Sequence, residues 1–171
     1  MDAKETKVVF SVLTVNHPGV LLRVTGLFSR RGFNIDSIVA CSTEKPEFSR
    51  WTLVVTGDEA TFTQLLRQLL KLEDVVKVEV LEPEDCSNSE LLLIKVRAEG
   101  QQGRAAVLRT AQNYGARILD ISDASMTVEM TGQTREMDGF IRHMEPLGIL
   151  EMARTGITAL ARGDCTILED D

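Results

Sequence analysis

A strand, a helix, a hairpin, a second helix and a closing strand follow one another twice along this 171-residue chain, and that order predicts an α+β protein of two tandem ferredoxin-like (βαββαβ) domains. Three observations carry the prediction. Apolar, β-branched runs open each cycle at residues 8–15 and 91–98. Helical stripes fall between the strand patterns. Glycines recur at a nearly constant offset, 84 residues from Gly19 to Gly103 and 83 from Gly32 to Gly115, as an internal duplication requires.

In the first cycle, residues 8–15 read as a central strand buried on both faces. After the turn Asn16-His17-Pro18-Gly19, Val20, Leu21, Val24, Leu27 and Phe28 make the stripe of an amphipathic helix, which Gly32 ends. Residues 33–42 and 50–56 read as a hairpin around the polar turn Glu44-Lys45-Pro46. Asp58 is placed to cap a helix striped by Phe62, Leu65, Leu66, Leu69 and Leu70, and residues 75–81 close the unit. Polar, aperiodic residues beginning at Glu82 and including Pro83 and Ser87 read as a linker. The expected division is therefore a first domain at 1–82, a linker at 83–89 and a second domain at 90–171. In the second cycle a turn at 100–103 precedes a helix over 104–114, stopped by Gly115. Strands follow at 118–121 and 125–130, then a helix striped by Met137, Phe140, Ile141 and Met144, then a last strand over 149–160.

Composition narrows the function. With 43% hydrophobic and 26% charged residues each half has the means to build a core. Nineteen Lys and Arg against 26 Asp and Glu give a formal charge of −7, which disfavours nucleic acid and anionic membranes as partners. Cys41, Cys86 and Cys165 lack metal-binding or redox spacing, so no metal site is expected and the thiols read as reduced. The charged run at 1–7 and the lack of a long apolar stretch point to a cytoplasmic protein. No catalytic residues are expected: His17 and His143 fall in different domains, and no hydrolase, zincin, phosphate-loop or dinucleotide pattern accompanies them. Arg31-Gly32-Phe33 has the opening of an RNA-binding strand motif, but Asn34, Ile35, Asp36 and Ile38 follow where stacking aromatics are required.

The informative stretch is Asn16-His17-Pro18-Gly19-Val20-Leu21, the joint of the first strand and helix. A helix amino terminus presents unpaired N–H groups and the positive end of the peptide dipoles, which suits a carboxylate. Gly19 leaves that approach open, Pro18 is tolerated where no first-turn N–H is needed, and Asn16 can cap the helix or meet a ligand. The same residues also make a good helix start with no ligand, and Gly32-Phe33-Asn34-Ile35 also reads as a plain helix stop.

These stretches, together with Arg23-Val24-Thr25-Gly26-Leu27-Phe28-Ser29-Arg30-Arg31-Gly32-Phe33-Asn34-Ile35-Asp36-Ser37-Ile38 and the later Ala153-Arg154-Thr155-Gly156, give the chain its resemblance to the regulatory small subunits of acetolactate (acetohydroxyacid) synthase. The resemblance spans nearly the whole chain and makes the first domain an ACT domain, an amino-acid-sensing module. It implies a non-catalytic subunit of branched-chain amino-acid biosynthesis that activates a catalytic large subunit and confers feedback inhibition. It further implies a homodimer that binds L-valine, or leucine or isoleucine, between paired ACT domains. Asn16, Gly19, Val20 and Leu21 would come from one protomer and Asn34 and Ile35 from the other. Cofactors are expected on the large subunit alone: thiamine diphosphate, a divalent metal and usually flavin. In the second domain Arg117 stands where Asn34 would be and Gly100-Gln101-Gln102 offers no counterpart of Asn16, so a second effector site is not expected. A stand-alone ACT-type amino-acid-binding regulatory protein without a catalytic partner is the alternative.

Overall fold

In the computed structural model, which describes residues 6–82, 85–164 and 166–168, the β-branched opening run forms strand β1 (Thr6–Val15). There follow α1 (Val20–Arg31), β2 (Ser37–Ser42), β3 (Phe48–Gly57), α2 (Glu59–Leu69) and β4 (Val75–Leu81). The strands pair antiparallel in the order β2-β3-β1-β4, so β1 is a central strand, as its largely apolar run predicts. Alternate residues Phe10 and Val12 of β1 face Val24, Phe28 and Leu65 of the helices in one core. Gly32 caps α1 with φ 70°, and Asp58 caps α2 by accepting from the Thr61 amide at 2.8 Å.

The second cycle comprises β5 (Cys86–Arg97), α3 (Gly100–Asn113), β6 (Arg117–Ile121), β7 (Ser125–Gly132), α4 (Thr134–Met144) and β8 (Ile149–Arg154). Its strands run β6-β7-β5-β8, the same order as in the first sheet. Leu92, Ile94, Val96, Met126 and Val128 meet Val107, Met137 and Phe140 in a separate core, with Tyr114 edge-on to Phe140 at 5.2 Å. A capping box starts α4, the Gln133 amide donating to Glu136 Oε2 at 2.9 Å.

Several features depart from the sequence-based expectation. The strand expected at 33–42 begins only at Ser37, because the Phe33 amide closes the end of α1 on Phe28 O and leaves Asn34 and Ile35 in the connecting loop. β5 starts at Cys86, inside the expected linker, and pairs with β9 (Thr158–Ala161); Pro83 and Glu84 lie outside the described residues. The strand expected at 149–160 is two strands, broken around Gly156 at φ 82°. Finally, α3 begins at Gly100, so Gly103 sits within the helix rather than in a turn; a side chain at Gly103 would stand 3.2 Å from the Ala98 carbonyl carbon.

The chain divides into two compact units, residues 1–88 with 157–171, and residues 89–156. The final segment, assigned by its sequence position to the second domain, thus packs with the first unit. Ala159 joins Leu81 and Cys86 in a small cluster with Val9 and Ile157, and the Ala159 amide approaches Thr52 Oγ1 at 3.5 Å. On the same sheet, Ser11, Leu13 and Val54, which alternate with the helix-facing residues, are also buried. Cys41 is exposed and Cys86 buried, and Cys165 is outside the described residues.

Candidate functional site

β1 ends at Val15 and α1 begins at Val20, so residues 16–19 must turn the chain from sheet to helix. Gly19 does so at φ 93°, a conformation in which an L side chain is strained. No side chain caps α1, which leaves the N–H groups of its first turn facing outward with the dipole behind them. Asn16 does not act as the cap. Its amide donates to Glu47 O at 2.7 Å and its Nδ2 to Pro46 O at 2.9 Å, which ties the loop to the β2–β3 hairpin. The acceptor oxygen of its side chain is thereby left for another donor.

Asn16, Gly19, Val20 and Leu21 line one cleft of about 420 Å³. Ala40 and Trp51 share that cleft, and they are direct cross-strand partners on β2 and β3. Ser42 and Ser49, the next such pair on the same face, add hydroxyls. The cleft therefore combines helix N–H groups, amide and hydroxyl polar atoms and a small apolar surface. That is the set of partners a zwitterionic amino acid with an aliphatic side chain needs.

Asn34 and Ile35 are not in this cleft; they lie past the other end of α1. Asn34 is exposed and its Nδ2 approaches Asp36 Oδ1 at 3.4 Å, while Ile35 packs on the first core. Ala40, Ser42, Ser49 and Trp51 were not found from the sequence. Their membership follows from the β2–β3 register, which is set by pairing across a hairpin and has no local signature beyond alternation.

Behind the loop stands an ionic cluster. Asp74, almost buried, accepts from Arg23 Nε, from Arg23 Nη2 at 2.8 Å and from His17 Nε2 at 2.9 Å. The bidentate Arg23 guanidinium holds the Asp74 carboxyl below the usual carboxylate range, and Asp74 in turn raises Arg23.

The second unit lacks this corner. Only residues 98–99 join β5 to α3, and Arg117, at the position corresponding to Asn34, is engaged in strand β6 with Glu129 at 2.6 Å. Arg154 is also committed internally: it donates to the buried Glu90 and, at 2.8 Å, to Asp138, and these acids raise its pKa, Glu90 foremost. Among the described residues no group of three or more His, Cys, Asp or Glu could hold a metal, and no helix is long and apolar enough to cross a membrane.

Comparison with known proteins agrees with both halves of this description. Residues 10–77 match the family model of the AHAS small subunit-like ACT domain, and residues 89–163 match that of the small subunit of acetolactate synthase. The acetolactate synthase small subunit of Mycobacterium leprae is 43% identical over 153 residues, covering 90% of each chain. The acetolactate synthase isozyme 3 small subunit of Salmonella typhimurium is 38% identical over 157 residues, covering 91% of this chain and 96% of its own. The crystal structure of the acetolactate synthase small subunit from Thermotoga maritima superimposes with a TM-score of 0.86 at 35% identity, over 94% of this chain and 99% of that one. The chain belongs to the family of acetolactate synthase small subunits, the regulatory and non-catalytic subunits of that enzyme.

Proposed function

We propose that this subunit activates the catalytic large subunit when effector-free and inhibits it when L-valine occupies the corner between β1 and α1. The observation that carries this reading is the uncapped first turn of α1 opening, at Gly19, into a cleft with an apolar floor. Backbone N–H groups around Gly19, Val20 and Leu21 bind the effector carboxylate. The side-chain oxygen of Asn16 accepts from its ammonium, and Trp51 and Ala40 enclose its isopropyl group.

The cleft is completed by a second copy. α1 is about 18 Å long at 1.5 Å per residue, so its two ends cannot serve one small molecule. Two copies related by a two-fold axis, with their α1 helices antiparallel, bring the partner's Asn34 and Ile35 to the cleft and make the same exchange on the other side. Leu22 at 76% exposure and Leu21 at 55% supply an apolar surface on α1 for that pairing. The first unit is thus the effector-binding and dimerising ACT domain, and the second serves association with the large subunit. That subunit carries thiamine diphosphate, a divalent metal and usually flavin, and the holoenzyme works in the cytoplasm.

Calorimetric titration of the purified chain with L-valine, with leucine, isoleucine and D-valine alongside, tests the reading. Saturable, L-specific binding that is lost in Asn34→Ala supports a site shared across the dimer. Binding that survives this substitution removes the partner's contribution, and no binding at all removes the effector.

A further inference from the structure

We infer that Arg23 and Asp74, acting with His17, are positioning residues that hold the 16–19 loop in its binding shape without touching the effector. The inference rests on the proposal that this corner binds an amino acid. Neither Arg23 nor Asp74 lines the cleft, whereas His17 and Gly19, which they support, both do.

Asp74 grips the corner on three sides. Its backbone carbonyl accepts from the Val15 amide at 2.9 Å, just before the loop. Its carboxylate accepts from His17 Nε2 at 2.9 Å within the loop and from the Arg23 guanidinium one turn into α1. Arg23 also closes on the loop directly. Its amide donates to Gly19 O at 3.1 Å, and its Nη1 lies 3.3 Å from the place a Gly19 side chain would begin. The Gly19 peptide is therefore backed by a flat guanidinium that is itself fixed by two hydrogen bonds to a nearly buried acid.

This arrangement gives the Asp74 tie a function beyond joining the α2–β4 connection to the sheet. N–H groups bind a carboxylate well only if they already point at it, and a loop that spends a fraction of its time in that shape loses affinity by that fraction. A lysine cannot replace Arg23, because one ammonium cannot make the two parallel bonds that keep the guanidinium plane against Gly19.

The test uses the full chain and two readouts, hydrogen exchange of the backbone amides within residues 16–22 (all but Pro18) without effector and calorimetric titration with L-valine. Arg23→Lys and Asp74→Asn are each expected to speed exchange at those amides and to weaken L-valine about tenfold, with exchange elsewhere in the first unit unchanged. His17→Gln, which keeps a side-chain N–H for Asp74, is expected to bind L-valine within about twofold of wild type, and His17→Ala to bind more weakly. Unchanged exchange at 16–22 in Arg23→Lys and Asp74→Asn overturns the inference. A rise spread evenly over the first unit overturns it too, because it assigns the pair to general stability. If the wild-type chain binds no L-valine, the proposed function fails while the exchange result still decides whether these residues position the loop.

Discussion

The corner between β1 and α1 and its counterpart between β5 and α3 begin from the same topology and end with different loops. In the first, residues 16–19 form a loop long enough to turn the start of α1 outward, with Gly19 at φ 93°. In the second, residues 98–99 pass at once into α3, and Gly103 lets the helix press against the Ala98 backbone. The two units also spend their ion pairs differently. Arg23 and Asp74 meet behind the candidate site, whereas Arg154, Glu90 and Asp138 tie β8 to the start of β5 and to α4. Capping does not separate the two corners, since neither α1 nor α3 has a side-chain cap; the longer loop at 16–19 and the ion pair behind it do.

The sharpest way to break the comparison is Gly19→Asp. A side chain there begins 3.3 Å from Arg23 Nη1 in a strained backbone, and its carboxylate competes with Asp74 for the guanidinium that backs the loop. We expect L-valine binding to vanish in calorimetry while the far-ultraviolet circular dichroism stays native. Next in size, Arg154→Met leaves the Glu90 carboxylate buried without its cation, and is expected to destabilise the second unit by about 3 kcal/mol in urea unfolding while valine affinity holds. Gly100→Ala, at φ 65° with nothing near its missing side chain, is expected to cost about 1 kcal/mol of strain and to leave valine titration unchanged. An effect of Gly100→Ala on valine affinity would mean that the two corners are not independent.

The smallest effect concerns pH. Arg23 lowers the folded-state pKa of Asp74 below its unfolded value near 3.9, so the carboxylate's contribution is complete well above that value and is lost as pH falls through the folded pKa. The Tm advantage of wild type over Asp74→Asn should accordingly be full above about pH 5 and shrink toward pH 2. A constant difference would remove the ionic tie.

Element order and both cores were legible because hydrophobic period and glycine stops are local signals. Val8 to Val15 announced a central strand, and Asp58 and Gly32 announced their caps. What was not legible depends on partners far along the chain. Cys86 to Asn88 read as linker because their strand partner is β9, and residues 157–168 read as second-domain sequence because nothing local tells which unit a returning segment will cover. Gly19 and Gly103 were matched by offset and element order, but at the entry to α3 the glycine with positive φ is Gly100. In the site, the loop residues stood out by type and spacing, whereas Trp51, Ala40 and Asp74 required the register of the hairpin and the path after α2.

The most direct measurement is the stoichiometry of L-valine on the intact wild-type chain by calorimetry, repeated on Gly19→Asp. The account predicts one site per chain in wild type and none in the variant. Two sites per chain, or one that survives in Gly19→Asp, would contradict it.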